Sequence, residues 1–318
     1  MLIFALLVAY AVLVGFCAAL LMPVRDAALN GVIDREAARG RHTPIATAAA
    51  MTTAVQIGAQ IAGIVVARSA GADPGPYLAL QAAVLFIGAI VALGIGGRKP
   101  TGHERTLIGA LRDVREGFAY AFRNDVMSPM LMSAAYVGVF IIGSFQVLFP
   151  LIVRDAYGGG ATMQASRLAT LFACFWGASF LSAVLLSRLK PLRQPGRALL
   201  ASHIVSAAAL MTFAWEKPFP VFAGVVFVWG LAAGVAISMS RTIVQSAAEP
   251  RYLGRVLAVY SMGFMGGAPI GSAAVGFAAQ ELGPRTAALI PGMGLAAAAL
   301  ALAALTPLWR YTPEHARD

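Results

Sequence analysis

Two arginines stand at the ends of long apolar runs. Arg25 and Arg241 each follow a stretch without any charged residue, and each begins a polar, basic turn. Charge at the edge of a membrane helix is costly unless it is paired or reaches water. The nearest carboxylates in the sequence are Asp26 and Glu249, and Arg255 adds a cation after the later turn. This pattern predicts an ionic gate, and the alternative is anchoring by arginines that reach the membrane surface.

His203 is the only histidine inside a predicted apolar run. An imidazole whose ordinary pKa lies near neutral pH can carry protons, so this residue could act in a proton relay. No acidic residue lies near the middle of any run, and a lone histidine also serves to hydrogen-bond one helix to another. Both roles stay open, and a proton is the candidate coupling ion.

The sequence lacks the motifs of membrane enzymes and nucleotide hydrolases. It has no HExxH, no pair of carboxylates in an apolar run, and no GxxxxGKS or GxxxxGKT. Cys17 and Cys174 lie far apart, without the spacing of metal ligands. The net charge of +10 is distributed over short loops rather than over a soluble basic module. We therefore expect no enzyme, no catalytic residue, no cofactor, no metal and no nucleic-acid partner.

The composition is that of a membrane protein. Of the 318 residues, 59% are hydrophobic and 12% are charged, and the mean hydropathy is +0.77, whereas soluble domains carry about 25% charged residues. Runs long enough for a helix to cross the bilayer recur along the chain. The sequence thus predicts an all-α membrane protein with nine transmembrane helices, at 3–24, 44–66, 77–96, 130–153, 168–186, 198–215, 219–240, 256–279 and 286–309.

Basic residues set the expected orientation. With the N-terminus outside, the outer loops receive few of the 24 lysines and arginines, and the remainder fall in the loops on the other side. Because an excess of Lys and Arg marks the cytoplasmic face, this arrangement favours a cytoplasmic C-terminus. The outer basic residues are then Arg68, Arg154, Arg167, Lys217 and Arg285.

The longest polar stretch follows the third run. Five apolar residues recur in it at helical spacing, which predicts an amphipathic helix against the inner leaflet or, alternatively, a solvated linker helix. They are Leu107, Leu111, Val114, Phe118 and Phe122.

An internal repeat organises the chain. After each arginine turn comes a second run, with "GAQI" at Gly58 in one copy and "GAPI" at Gly267 in the other, and then one further run. Three runs precede the second copy after the central loop, which completes a unit of six. We expect a truncated N-terminal half at 1–97, a cytoplasmic central loop at 98–127 and a six-helix bundle at 128–318, on the plan of two parallel six-helix repeats.

Four stretches carry a family resemblance: "PVRDAALNGVI" at Pro23, "REGFAYAFRN" at Arg115, "QVLFPLIVRDAYGGGA" at Gln146 and "EPRYLGRVLAVYS" at Glu249. They resemble major facilitator superfamily transporters of the enterobactin-exporter-like and macrolide-efflux-like branch, with the nine helices equivalent to helices four to twelve of twelve and the first three lacking.

The resemblance implies a secondary active antiporter that moves a siderophore-like or drug-like amphipathic molecule across the lipid bilayer by alternating access. One departure from the family is that "SRLKPLRQPGR" at Ser187 lacks the usual aspartate of the loop signature. The alternative is a truncated or degenerate membrane protein that does not transport.

The same resemblance suggests residues that line a central substrate cavity, where polar groups among aromatic rings suit an amphipathic solute. Packing between helices is the alternative for each of them. The candidates are Gln56, Gln60, Gln146, Trp176, Trp229 and Tyr260.

In "GFMGGAPIG" the glycines Gly263, Gly267 and Gly271 lie four apart, with Pro269 between them. Small residues at this spacing allow helix backbones to approach each other, and proline permits a bend. The segment resembles the glycine-proline signature of antiporters, displaced to the penultimate helix. We expect it to act as a hinge or as a packing surface.

Overall fold

The computed structural model describes residues 75–94, 107–189, 192–249 and 252–313, together with residues 40, 55, 58, 59, 62, 63 and 66. Its first complete helix, α1 (Gly75–Gly94), belongs to one compact unit, and all helices from Leu107 onward belong to another. Helix α1 is apolar over Ala79–Val91 and corresponds to the third predicted run.

From Leu107 onward, the described residues of the second unit form seven helices longer than ten residues and a short 3₁₀ turn at Pro307–Arg310, and no strand occurs in the described ranges. Five of them, α3, α4, α6, α7 and α8, are long and apolar enough to cross a membrane. The all-α class is therefore confirmed. The count of nine spans stays a prediction, because α1 and α5 are not among these five, the first predicted run lies outside the described residues, and only single residues of the second are described. The helices are α2 (Leu107–Arg123), α3 (Met127–Tyr157), α4 (Ala161–Arg188), α5 (Pro195–Thr212), α6 (Phe219–Ala247), α7 (Leu253–Leu282) and α8 (Pro284–Leu305).

Short connections make α3 to α8 run alternately up and down. The starts of α3, α5 and α7 lie at the end of the bundle where α2 packs, which we call the α2 end. There Ser246, near the end of α6, lies 2.9 Å from the hydroxyl of Tyr311, beyond α8. The turns after α3, α5 and α7 lie at the far end, where Tyr157 donates a hydrogen bond to the Lys217 carbonyl at 3.0 Å. These two ends correspond to the predicted inner and outer faces.

Glycines bring α3 and α7 into backbone contact. Helix α3 contains a wider π turn at Gly138–Ile142, and α7 passes directly beside it. A β-carbon at Gly271 would overlap the carbonyl of Val139, and one at Gly267 would lie 2.8 Å from the carbonyl oxygen of Ala135. Gly267 and Gly271, which the sequence analysis predicted to act as a hinge or as a packing surface, thus lie at a helix–helix contact.

The other members of that segment take less part in this contact. A β-carbon at Gly263 would meet Ala134 at an ordinary 3.5 Å. Pro269 lies inside α7 with an exposed ring. Hinge motion at these residues stays a prediction.

Helix α6 is longer than its apolar run. The sequence placed a polar turn directly after Ser240, but the helix continues to Ala247, so Arg241 lies about 9 Å before its end at 1.5 Å per residue. Nothing in "RTIVQSA" breaks a helix, and Pro250, which disfavours helical backbone before it, comes only afterwards. The polar last turns allow the exposed arginine to remain helical.

Candidate functional site

An ion pair and a ring stack hold α2 against the start of α7. Glu116 of α2 lies 3.0 Å from Arg255 of α7. Tyr120 and Tyr252 stack with ring centroids 4.4 Å apart, and the Tyr120 hydroxyl accepts a hydrogen bond from the backbone N–H of Glu249 at 3.1 Å. We call these five residues the α2 latch.

The latch forms because α2 has two different faces. Gly117 and Ala121 are buried, and a β-carbon at Gly117 would lie only 3.1 Å from that of Arg255. Phe118 and Phe122 each follow one of these small residues in the sequence. Their side chains are exposed and stack with ring centroids 6.0 Å apart. The helix therefore packs through its small residues and presents aromatic rings outward.

Two of the predicted gating residues, Glu249 and Arg255, lie in the α2 latch. The sequence reasoning missed Glu116, although the quoted "REGFAYAFRN" contains it, because nothing along the chain shows which remote carboxylate faces Arg255. Arg241 lies on an exposed face of α6, and Arg25 and Asp26 lie outside the described residues. Gating by these residues stays a prediction.

The bundle interior contains a buried polar pair. The hydroxyl of Tyr136 on α3 and Nδ1 of His203 on α5 are 2.6 Å apart, and the two rings are nearly perpendicular. Both side chains are buried, and Ser133 donates a hydrogen bond to the Tyr136 hydroxyl at 3.5 Å. This bond joins two helices, which is the role that the sequence offered as the alternative to a proton relay.

Tyr260 extends this polar region towards α6. Its phenol lies close enough to Ser240 of α6 and to Tyr136 of α3 to interact with both. Counted along their helices, Tyr136, His203, Ser240 and Tyr260 all lie about 10 to 14 Å from the α2 end. They form one polar layer inside a mostly apolar bundle, in which the other buried polar side chains of the described ranges are serines.

Tyr136→Phe is expected to lower the free energy of unfolding by about 1–3 kcal/mol, because it leaves a buried imidazole nitrogen without its partner. Chemical unfolding of the purified protein measures this change. In a His203→Leu background the same substitution should cost clearly less, since no imidazole remains to be left unpaired. Equal losses in both backgrounds would show that the 2.6 Å bond does not couple the two residues.

Aromatic rings fill the centre of the bundle. Trp229 of α6 is fully buried and has its ring centroid 5.1 Å from Phe175, 5.9 Å from Phe149 and 5.8 Å from Phe213. In this conformation its neighbours are other rings of the core. Contact between Trp229 and a solute stays a prediction. A tryptophan in an apolar helix gives the same sequence pattern whether it packs in the core or binds a solute.

The remaining described cavity candidates lie nearer the surface of the bundle. Gln146 of α3 is exposed. Trp176 of α4 is partly exposed, and its ring packs against Phe175 at 5.3 Å. Gln56 and Gln60 lie outside the described residues. The structure therefore offers an amide on α3 and an indole on α4 that a solute could reach.

Comparison with known families gives one result for this sequence. The family described as Major Facilitator Superfamily matches residues 1–272 and 195–318, which together include every helix described above. A search among curated proteins finds no match.

Proposed function

The chain belongs to the Major Facilitator Superfamily and is a secondary transporter in a lipid bilayer, and from this premise we propose that it exports a siderophore-like or drug-like amphipathic molecule by alternating access. We place it in the enterobactin-exporter-like and macrolide-efflux-like branch, in a bacterial inner membrane with the α2 end facing the cytoplasm. A proton driving an antiport cycle completes the proposal.

The observation that carries the proposal is that a polar side chain of α3, Gln146, is exposed and an aromatic one of α4, Trp176, is partly exposed, so that a solute could reach both. Gln146, Trp176 and Tyr260 belong to three helices that the family resemblance assigns to the central cavity. Their amide, indole and phenol groups can hydrogen-bond and stack with an amphipathic solute.

Transport in cells tests this directly. Cells expressing the full chain are loaded with a fluorescent catechol-type siderophore or with a macrolide, and retention is followed with and without the proton gradient. Gln146→Ala and Trp176→Ala should raise the retained amount several-fold, because they remove solute contacts. Phe277→Ala is the matched control, since this ring on α7 is 68% exposed and lies outside the proposed set.

The α2 latch supports alternating access because it can open at low cost. The side chains of Arg255 and Glu116 are 35% and 41% exposed, and an exposed ion pair contributes only about 0–1 kcal/mol. A stacked pair of rings adds about 0.5–1.5 kcal/mol beyond its buried area. Contacts of this size can hold one state and release it during a transport cycle.

Reversing one charge of the latch tests its function. Glu116→Arg should slow transport several-fold, because it places two cations together and disfavours the closed state, while folding stability changes by about 1 kcal/mol or less. The exchange Glu116→Arg with Arg255→Glu should restore the rate. Arg154→Gln is the control, because it removes an ion pair at the far end. A double exchange as slow as the single change would contradict the latch.

The alternative function, a membrane protein that does not transport, makes an opposite prediction for the same assay. Retention in cells expressing the full chain would then equal that in empty cells for every solute, although the protein is present in the membrane. Unaltered retention together with a folded, membrane-inserted protein would favour this alternative.

A further inference from the structure

A cleft of about 510 Å³ opens at the far end of the bundle, away from the α2 latch and the polar layer. It lies between the turn after α3, the turn after α5 and the start of α8. The cleft is wide and largely open to solvent. The rings of Tyr157 and Phe219 contribute to its wall, so the cleft has an apolar side as well as a polar one.

Three cations converge on this cleft. Arg167, Lys217 and Arg285 line it, whereas Glu216 is the single acidic residue in its wall. These three belong to the small set of basic residues that the charge distribution assigns to the outer face. The cleft therefore has an excess of two positive charges in a part of the protein where positive charge is otherwise scarce.

Two of the cations donate hydrogen bonds to backbone carbonyls. Arg167 donates through Nη1 to the carbonyls of Tyr157 and Gly158, at 2.5 Å and 3.0 Å, and its guanidinium lies 5.6 Å from the ring of Phe219. Lys217 donates to the carbonyl of Thr212. These bonds fix the positions of the charges, and no carboxylate is involved in them.

Arg285 lacks a hydrogen-bond acceptor that a bound anion could supply. Its Nη1 is buried and has no hydrogen-bond partner within the described part of the chain. The same Nη1 forms an ion pair with a carboxylate oxygen of Glu216 at 3.5 Å, but that side chain is 90% exposed to solvent, so the pair is weak. Asp155, in a smaller neighbouring cleft that also contacts Arg285, is held by Arg154 at 2.5 Å. The acids nearby thus leave the guanidinium incompletely satisfied.

The cations also disfavour each other. Partial burial, and secondarily the charge of Arg285, lower the pKa of Lys217 below its usual value. A bound anion would relieve this repulsion and supply the missing acceptor for Nη1, and guanidinium groups bind carboxylate and phosphate oxygens well.

We propose that the far-end cleft is a binding site for an organic anion, whose carboxylate or phosphate oxygens pair with Arg285 and Lys217 while its apolar part lies against Tyr157 and Phe219. Its place in the export cycle, as a site for an acidic solute on the way out, rests on the proposed function. The binding itself does not.

Calorimetric titration of the purified full chain with 1-naphthoate tests the site, with neutral 1-naphthalenemethanol as the matched ligand. Naphthoate should bind at least about tenfold more tightly than the alcohol, and Arg285→Gln and Lys217→Gln should each weaken naphthoate binding by about tenfold, because each loses a charge-assisted hydrogen bond. Arg285→Lys should retain part of the affinity. Arg188→Gln should bind like the unaltered protein, since this exposed cation lies at the end of α4, at the α2 end of the bundle.

Equal affinity for the alcohol and the acid, or unchanged binding in both glutamine variants, would overturn the proposal. Size-exclusion profiles and unfolding curves test whether each variant is folded. If Arg285→Gln does not fold, Lys217→Gln alone tests the proposal. Repeating the titration in nanodiscs with and without phosphatidylglycerol identifies the source of the anion. If this lipid competes with naphthoate, the natural ligand is a lipid headgroup. If the lipid does not compete, the natural ligand is a soluble solute. If the protein binds naphthoate but does not transport any solute, the result would contradict the proposed export function and still support the cleft as an anion-binding site.

Discussion

Gly271→Val should prevent the protein from reaching a stable folded state. A β-carbon at this position would overlap the carbonyl of Val139, and both helix backbones are fixed there, so neither atom can move away cheaply. On the opposite helix, a β-carbon at Gly143 would likewise lie 2.7 Å from the Cα of Gly271. Separating α3 from α7 would forfeit their packing, and we expect a loss of about 3 kcal/mol or more. Yield of monodisperse protein and the unfolding midpoint measure it.

Gly276→Val provides the matched control on the same helix. No atom lies within 4 Å of a β-carbon built at Gly276, so the substitution should leave yield, unfolding and transport close to those of the unaltered protein. If both glycines tolerate valine equally well, the close approach of α3 and α7 does not exist as described. If both are equally damaging, valine acts through the helix itself rather than through the contact.

Trp229→Ala has the second largest expected effect. The indole is fully buried among phenylalanines of α3 and α4 and Phe213, the residue directly after α5. Truncation to alanine would remove most of these contacts and leave a void. We expect the free energy of unfolding to fall by about 3–5 kcal/mol. Trp215→Ala should change it little, because that ring is 63% exposed.

Trp229→Phe separates packing from solute binding. Phenylalanine keeps most of the ring contacts, and the indole nitrogen that it removes has no hydrogen-bond partner among the described residues. A core role therefore predicts transport with an unchanged KM and slightly lower stability. A KM raised several-fold at nearly unchanged stability would instead assign Trp229 to the substrate cavity.

Apolar runs were a good guide to where helices lie and a poor guide to where they end. The runs at 168–186 and 219–240 lie within α4 and α6, but α4 begins at Ala161 and α6 continues to Ala247. Hydropathy reports the part of a helix that lies in lipid, whereas backbone hydrogen bonds continue through any sequence without a breaker. For this reason Arg241 marks the edge of an apolar run and not the end of a helix.

Partners across the bundle could not be read from the sequence. The spacing of Gly267 and Gly271 predicted that a helix backbone would approach, but not that the approach would be at a π turn of α3. The charge of Arg255 indicated a need for a carboxylate, and only the packing of α2 identifies Glu116. Such pairings depend on the tertiary arrangement of distant segments, which hydrophobic periodicity does not encode.

The wide turn in α3 determines how the rest of that helix is aimed. One additional residue in a helical turn rotates everything after it by about 100°, since each residue of an α-helix contributes that angle. Tyr136 precedes the turn and faces the polar layer, while Gln146 follows it and is exposed. The direction of the amide is thus fixed by how many residues the turn contains and not by which ones. Removing a single residue between Gly138 and Ile142 would swing the whole later half of α3 around its axis, a change that no exchange of side chains can imitate.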